Sequence, residues 1–244
     1  MRIVLSVVAL SAVLISAAWG VEVVAIKTDS PPTVDGSLDD PVWAIANSVT
    51  GFVVFPGATK KATNQTTVWI AYDDSNLYVA YKCDEPHPDK LKTVVKDRDG
   101  SPIWEDDEVE LFIDVENDGA APYFQFIVNA ANTQFDLWKG KGDVGWNGQW
   151  DSAVEVGSDA WYVEISIPFS QLGATPSEGD VWGINFTRHV MTVSPDEWTT
   201  WSPIAEGGFH QPQLFGKVKF GGPVAAPVNP RDKLASLWGE LKAR

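Results

Sequence analysis

Between Val21 and Phe220 apolar and polar residues alternate in short runs, and turn-forming residues break each run before it becomes a long element. Apolar side chains at every second position line one face of a strand, whereas a helix needs spacings of three and four. The pattern predicts strands over Val21–Ile26, Val49–Val54, Thr66–Tyr72, Leu77–Asp84, Lys92–Lys96 and Val109–Val115. It continues with Tyr123–Ala130, Gln134–Leu137, Trp150–Val156, Trp161–Ile167, Val181–Val190 and Leu214–Phe220. So many half-apolar strands can bury their faces only against one another. The expectation is therefore an all-β chain, an antiparallel β-sandwich of jelly-roll or immunoglobulin-like appearance. About 200 residues is ample for one core.

Local chemistry punctuates this pattern. Asp73-Asp74-Ser75-Asn76 and Gly157-Ser158-Asp159 read as hairpin turns. Asp40-Pro41-Val42-Trp43 places a cap residue before a proline at the first helical position, and Pro168 to Gly173 reads as one helical turn stopped by glycine. Residues 221–231, rich in Gly, Pro, Ala and Val, read as a linker. Residues 232–244 then predict a short amphipathic C-terminal helix with Leu234, Leu237, Trp238 and Leu241 on one face. A helix this short needs a surface, so it either packs back on the sandwich or docks on a protein partner.

Residues 1–20 have the form of a secretory signal peptide: Arg2, an apolar run from Ile3 to Ala18, and small residues at Ala18 and Gly20. No cysteine sits near that site, and no later apolar run reaches the length of a membrane span. The sequence thus predicts a secreted or periplasmic domain over 21–220 without membrane insertion. Cys83 is the single cysteine, which excludes an internal disulfide framework and reads as a buried, inert thiol. The formal charge is -15, and loss of Arg2 with the leader makes it -16. Such a surface repels nucleic acid and anionic membranes.

The stretch Ile103-Trp-Glu-Asp-Asp-Glu-Val-Glu-Leu-Phe-Ile-Asp114 stands apart. It reads as a loop presenting Trp104 and then a strand with Val109, Leu111 and Ile113 on one face and Glu110, Phe112 and Asp114 on the other. One reading is an edge strand with a solvated acidic face. The other is a sugar-binding face, in which an aromatic plate covers the C–H face of a pyranose and a carboxylate accepts hydrogen bonds from its hydroxyls.

Six motifs occur in order: Val34-Asp-Gly-Ser-Leu-Asp-Asp-Pro-Val-Trp43, the run Val68 to Ala80, Trp104 to Asp114, Phe124 to Asn129, Gly183 to Phe186, and Phe209 to Gly216. Together they resemble carbohydrate-binding module family 9, within the DOMON-like β-sandwich group, over roughly residues 30 to 220. The resemblance implies a non-catalytic module, commonly attached to xylanases and related hydrolases, that holds a sugar of a plant-type polysaccharide between two aromatics. It implies Trp104 and Phe209 as the plates and Glu110, Asn129, Asn185 and Thr187 as the polar contacts, with Trp201 as a core residue nearby. This chain departs from the family pattern at Ile127 for arginine, Thr187 for glutamine, Glu206 for asparagine and Phe209 for tryptophan. Arg188 lies beside the site strand, although alternation points it away from Thr187. Two plates and a few hydrogen bonds offset the cost of association only modestly, so dissociation constants of roughly micromolar to millimolar are expected.

Other readings are weaker. Glu105 to Glu110 is rich in acids, but glycosidase carboxylates face each other across a cleft from different elements. A DOMON-like haem domain would draw on His189, Met191 and His210, yet His189 and Met191 fall on one strand face. No cofactor is required. A structural calcium ion could use the hard oxygens of Asp114 to Gly119, joined by Asp73 and Asp74, although the spacing is not that of an EF-hand. An assembly or cell-surface module without sugar binding is the remaining alternative.

Overall fold

The computed structural model describes residues 20–141 and 143–223. The expected signal segment, the linker beyond Pro223 and the C-terminal helix lie outside the described residues. The strands are β1 (Glu22–Lys27), β2 (Ser48–Val49), β3 (Val53–Phe55), β4 (Thr66–Tyr72), β5 (Asn76–Asp84), β6 (Glu108–Asp114) and β7 (Tyr123–Asn129). They continue with β8 (Gln134–Lys139), β9 (Asp151–Val156), β10 (Ala160–Pro168), β11 (Val181–Val190), β12 (Glu197–Thr200) and β13 (Gly216–Pro223). Two short helices, α1 (Pro41–Ile45) and α2 (Phe169–Leu172), occupy the two predicted positions, and Gly173 stops the second with a φ of 73°.

Hydrogen bonding follows the path β8-β7-β6-β11-β13-β1-β4-β5-β10-β9, with β12 added to β11, β3 to β12 and β2 to β4. The path folds back on itself and encloses the main core, in which Val109, Leu111, Ile113, Phe126 and Phe186 meet Val79, Tyr81, Trp161 and Val163. Tyr81 ties the layers together: its ring lies edge-on to Phe186 at 6.0 Å and its hydroxyl donates to the Glu110 carbonyl at 3.1 Å. The two ends of the path also approach, since Gln134 Nε2 donates to Ser152 Oγ at 2.9 Å and Asn132 Nδ2 to the Ser152 carbonyl at 3.0 Å. The all-β sandwich is thus nearly closed.

Several local expectations change. The sheet is not wholly antiparallel, because β1 lies parallel to both β13 and β4. The strand expected over Val49–Val54 divides into β2 and β3, since Gly51 takes a φ of 83° and Phe52 turns fully into the core. Lys92–Lys96 is not a strand. Its backbone N–H groups find side chains instead, with Lys92 donating to Asp107 and Val94 and Val95 to the two oxygens of Asp106. The strand β12 was not foreseen, and β13 runs on to Pro223, three residues into the expected linker.

The motif from Val34 to Trp43 is architectural. Glu164, buried on β10, accepts from the Asp35 and Gly36 backbone N–H groups at 3.0 and 2.9 Å and from the Trp43 indole at 2.7 Å. Gly36 has a φ of 90°, and a Cβ there would lie 2.8 Å from the Glu155 backbone nitrogen, so the close approach requires glycine. Cys83 is buried, as expected, and burial pushes its thiol up to about 12.

Candidate functional site

Alternation along β6, β7, β8 and β11 sends one set of side chains into the core and the other to the outer face of that layer. There a cleft of about 480 Å³ opens. Glu110 and Phe112 of β6 and Gln125 of β7 form its floor. Phe135 and Leu137 of β8 lie to one side with Val144, while Phe55, Trp198 and Phe209 lie to the other.

The stretch Ile103 to Asp114 is not an edge. β6 is hydrogen-bonded on both sides, to β7 and β11, and its seven residues are buried. Nor is its acidic run solvated. Asp106 and Asp107 are spent on backbone N–H groups, and only Glu105 of the acids from 105 to 110 is exposed. The 3₁₀ turn Ile103–Glu105 buries Ile103 and leaves Trp104 39% exposed at the cleft, edge-on to Phe135 at 6.2 Å. His189 holds this turn: Nδ1 donates to the Trp104 carbonyl at 2.8 Å, and Nε2 meets Asp196 at 2.8 Å. Trp198 stacks on the His189 ring at 3.8 Å.

Glu110 is only 3% exposed, and burial pushes its pKa up to about 7, partly offset by the Gln125 amide that donates to it. Two residues earlier on the same face, Glu108 lies between Asn129 and His189 in register and neither of its oxygens has a hydrogen-bond partner. Burial first, and the Glu110 charge second, raise its pKa well above the usual carboxylate range.

Of the six expected site residues, Trp104, Glu110 and Phe209 are brought together at the cleft. Phe209 is packed among Phe55 at 5.2 Å, Trp198 at 5.9 Å and Phe112 at 6.5 Å. The other three belong to the framework. Asn129 donates to the Val95 carbonyl and Asp106 and accepts from Ala131 and Thr133, so its amide is fully used. Asn185 likewise ties Phe186, Thr200 and Ser202. Thr187 is fully buried opposite Glu110 in register. Arg188 points into the core, over Trp161 at 5.8 Å and 3.5 Å from Glu85, so it replaces no group in the cleft. Trp201 packs in the core on Phe186, as expected.

Phe55, Gln125, Phe135, Leu137 and Trp198 line the cleft without having been singled out, and Phe112 lines it on the Glu110 face, where alternation put it. Alternation on β7 and β8, read together with their register, is the signal that places Gln125 beside Phe112 and Leu137. The rival readings gain little geometry. Both ring nitrogens of His189 are engaged, and His210 Nδ1 bonds the Tyr123 hydroxyl at 2.8 Å. In the turn after β6, the Asp114 carboxylate accepts from Asn117 and Gly119. Among the described residues no three His, Cys, Asp or Glu side chains converge as metal ligands.

The family model "Carbohydrate family 9 binding domain-like" matches residues 34–222. The chain belongs to that family. Among curated relatives it is similar to endo-1,4-beta-xylanase A of Thermotoga neapolitana, 28% identical over 204 residues, and to that of Thermotoga maritima, 27% identical over 204 residues. Each match covers 80% of this chain but 18% of the xylanase. The fold of this family 9 member resembles a family 9 carbohydrate-binding module of Caldicellulosiruptor kristjanssonii solved with glucose (TM-score 0.62, 21% identity, covering 86% of this chain and 100% of that one). A second structure of that module, with cellotriose, gives 0.61 at the same identity, covering 86% and 99%. A putative carbohydrate-binding protein of Bacteroides uniformis gives 0.65 at 18% identity, covering 82% and 99%. No helix among the described residues is long and apolar enough to cross a membrane.

Proposed function

We propose that this family 9 domain is a non-catalytic module that binds a sugar unit in the β6 cleft. The observation that carries the reading is the exposed Trp104 plate, on a turn held by His189, beside the buried Glu110 carboxylate of β6. A pyranose laid against Trp104 would bury ~50–80 Å² of apolar surface, about 1–2 kcal/mol. Phe209 supplies the second aromatic wall. Glu110 accepts hydroxyl hydrogen bonds, and Gln125 takes a place in the floor that the family departures leave short of polar groups. Ile127, where the family has arginine, is buried and apolar. Glu206, where it has asparagine, lies on an exposed loop.

A binding role suits the acids better than hydrolysis. Glu108 and Glu110 lie on one strand, two residues apart, and no second carboxylate of the cleft lining faces Glu110 from another element. The leader-like N-terminus supports an exported, secreted or periplasmic setting. The xylanase relatives and the glucose and cellotriose complexes motivate the ligand panel. Isothermal calorimetry against glucose, xylose and cello- and xylo-oligosaccharides should give micromolar to millimolar binding. Silence across a broad glycan panel would overturn the reading, and sugar release by purified protein that is lost in Glu110→Gln would restore the enzyme.

A further inference from the structure

The cleft is more apolar than a sugar alone requires. Glu110, Gln125 and His210 are the polar side chains of its lining, apart from the indole N–H groups of two tryptophans. Gln125 already donates to Glu110, and His210 Nδ1 is engaged with Tyr123. These groups can serve the hydroxyls of about one ring. A hydroxyl buried without a partner costs about 1–3 kcal/mol.

Yet the cleft measures about 480 Å³, within the range of roughly 300–1,000 Å³ that holds ligands larger than one sugar ring. Apolar side chains line both sides, and the β8 side is the one that runs to an exposed residue. Phe135 and Leu137 stand two residues apart on the same face of β8, the outermost strand of its layer, and Val144 follows in the next turn with 67% of its surface exposed. In register, Leu137 is next to Gln125, and Phe135 is separated from Glu110 only by Ile127. An apolar shelf thus begins where the polar floor ends and runs out to the sheet edge. A second sugar on it would present hydroxyls to side chains that offer them nothing.

We infer that the cleft selects sugars carrying an aryl substituent, an aryl glycoside or aryl ester, with the sugar over Glu110 and Gln125 and the aromatic ring on the Phe135–Leu137–Val144 shelf. This inference rests on the sugar-binding reading and narrows its ligand class. The shelf contributes through burial of apolar ring surface, and its open end leaves room for a substituent attached to something larger.

Calorimetry with methyl and phenyl β-glucosides, and the matching pair of β-xylosides, tests it on the purified protein. At least one phenyl glycoside should bind about ten-fold tighter than its methyl counterpart. Val144→Asn, at an exposed position, should lower that ratio about three-fold, and Leu137→Gln should bring it within about two-fold of one. Equal affinity of the phenyl and methyl glycosides for wild type overturns the aryl preference and leaves sugar binding standing. If neither glycoside nor any plain sugar binds, both readings fall. If free phenol binds as tightly as the phenyl glycoside, the aryl-glycoside inference falls, because the sugar then contributes nothing to that binding.

Discussion

Replacing Glu110 by glutamine should change stability in a pH-dependent way. Burial holds the native carboxyl near 7 against an ordinary value of 4.5. A folded-state pKa above the unfolded one means that the native state binds this proton more tightly. The group therefore costs nothing below about pH 4.5, and stability falls as pH rises through the native pKa near 7. The gap of about 2.5 pKa units corresponds to ~3 kcal/mol at 1.36 kcal/mol each. Glutamine is nearly isosteric, never ionises, and its side-chain oxygen can still accept from the Gln125 amide. Glu110→Gln should match wild type near pH 4.5 and exceed it by up to ~3 kcal/mol at pH 8, about 6–12 °C in melting temperature for a domain of this size. It also removes the charge that raises the pKa of Glu108, which reinforces the gain at alkaline pH. Asp196 and Glu197, whose pKa values are lowered, have the opposite dependence but cancel when the two proteins are compared. Urea denaturation from pH 4 to 9 gives the difference curve. A flat difference, or a variant less stable than wild type at pH 8, would refute the reasoning.

Trp104→Ala should weaken sugar binding about ten-fold by calorimetry, with little loss of stability, because the indole is substantially exposed. His189→Phe should keep the stack on Trp198 but release the Trp104 carbonyl, weakening the same binding while circular dichroism stays native. Glu164→Ala strands the Asp35, Gly36 and Trp43 donors and should lower stability by ~3 kcal/mol or more in chemical denaturation. Cys83 should resist alkylation at pH 8 in the folded protein and react at once in denaturant, as a mass shift would show.

The strands were legible wherever period-two alternation ran for six or more residues, as in Thr66–Tyr72 and Val181–Val190, whose observed bounds match. The misreadings share one physical cause. Side chains, not neighbouring strands, satisfy the backbone of 92–96, and nothing in a local pattern says that Asp106 and Asp107 will reach it. The resemblance implied Asn129 and Asn185 as ligand contacts, and it says nothing of the framework hydrogen bonds that engage them here. An amide on the right strand face reads alike whether its hydrogen bonds go to a sugar or to a neighbouring loop. Trp104 and Glu110 could be read because an exposed aromatic and a strand carboxylate fall within one continuous segment. Phe55, Phe135 and Trp198 reach the cleft from three distant segments, and register alone unites them with it.

The parallel placement of β1 has a mechanical consequence. Glu22 lies opposite Lys217 and Lys27 opposite Pro223, so the chain enters the domain at one end of this strand pair and leaves at the other. Tension applied through both flanks would load the β1–β13 hydrogen bonds together, along the strand axis, in shear. An antiparallel terminal pair would instead peel open one bond at a time. Force applied between the two ends of the domain is thus carried along the strands without unravelling them from their termini.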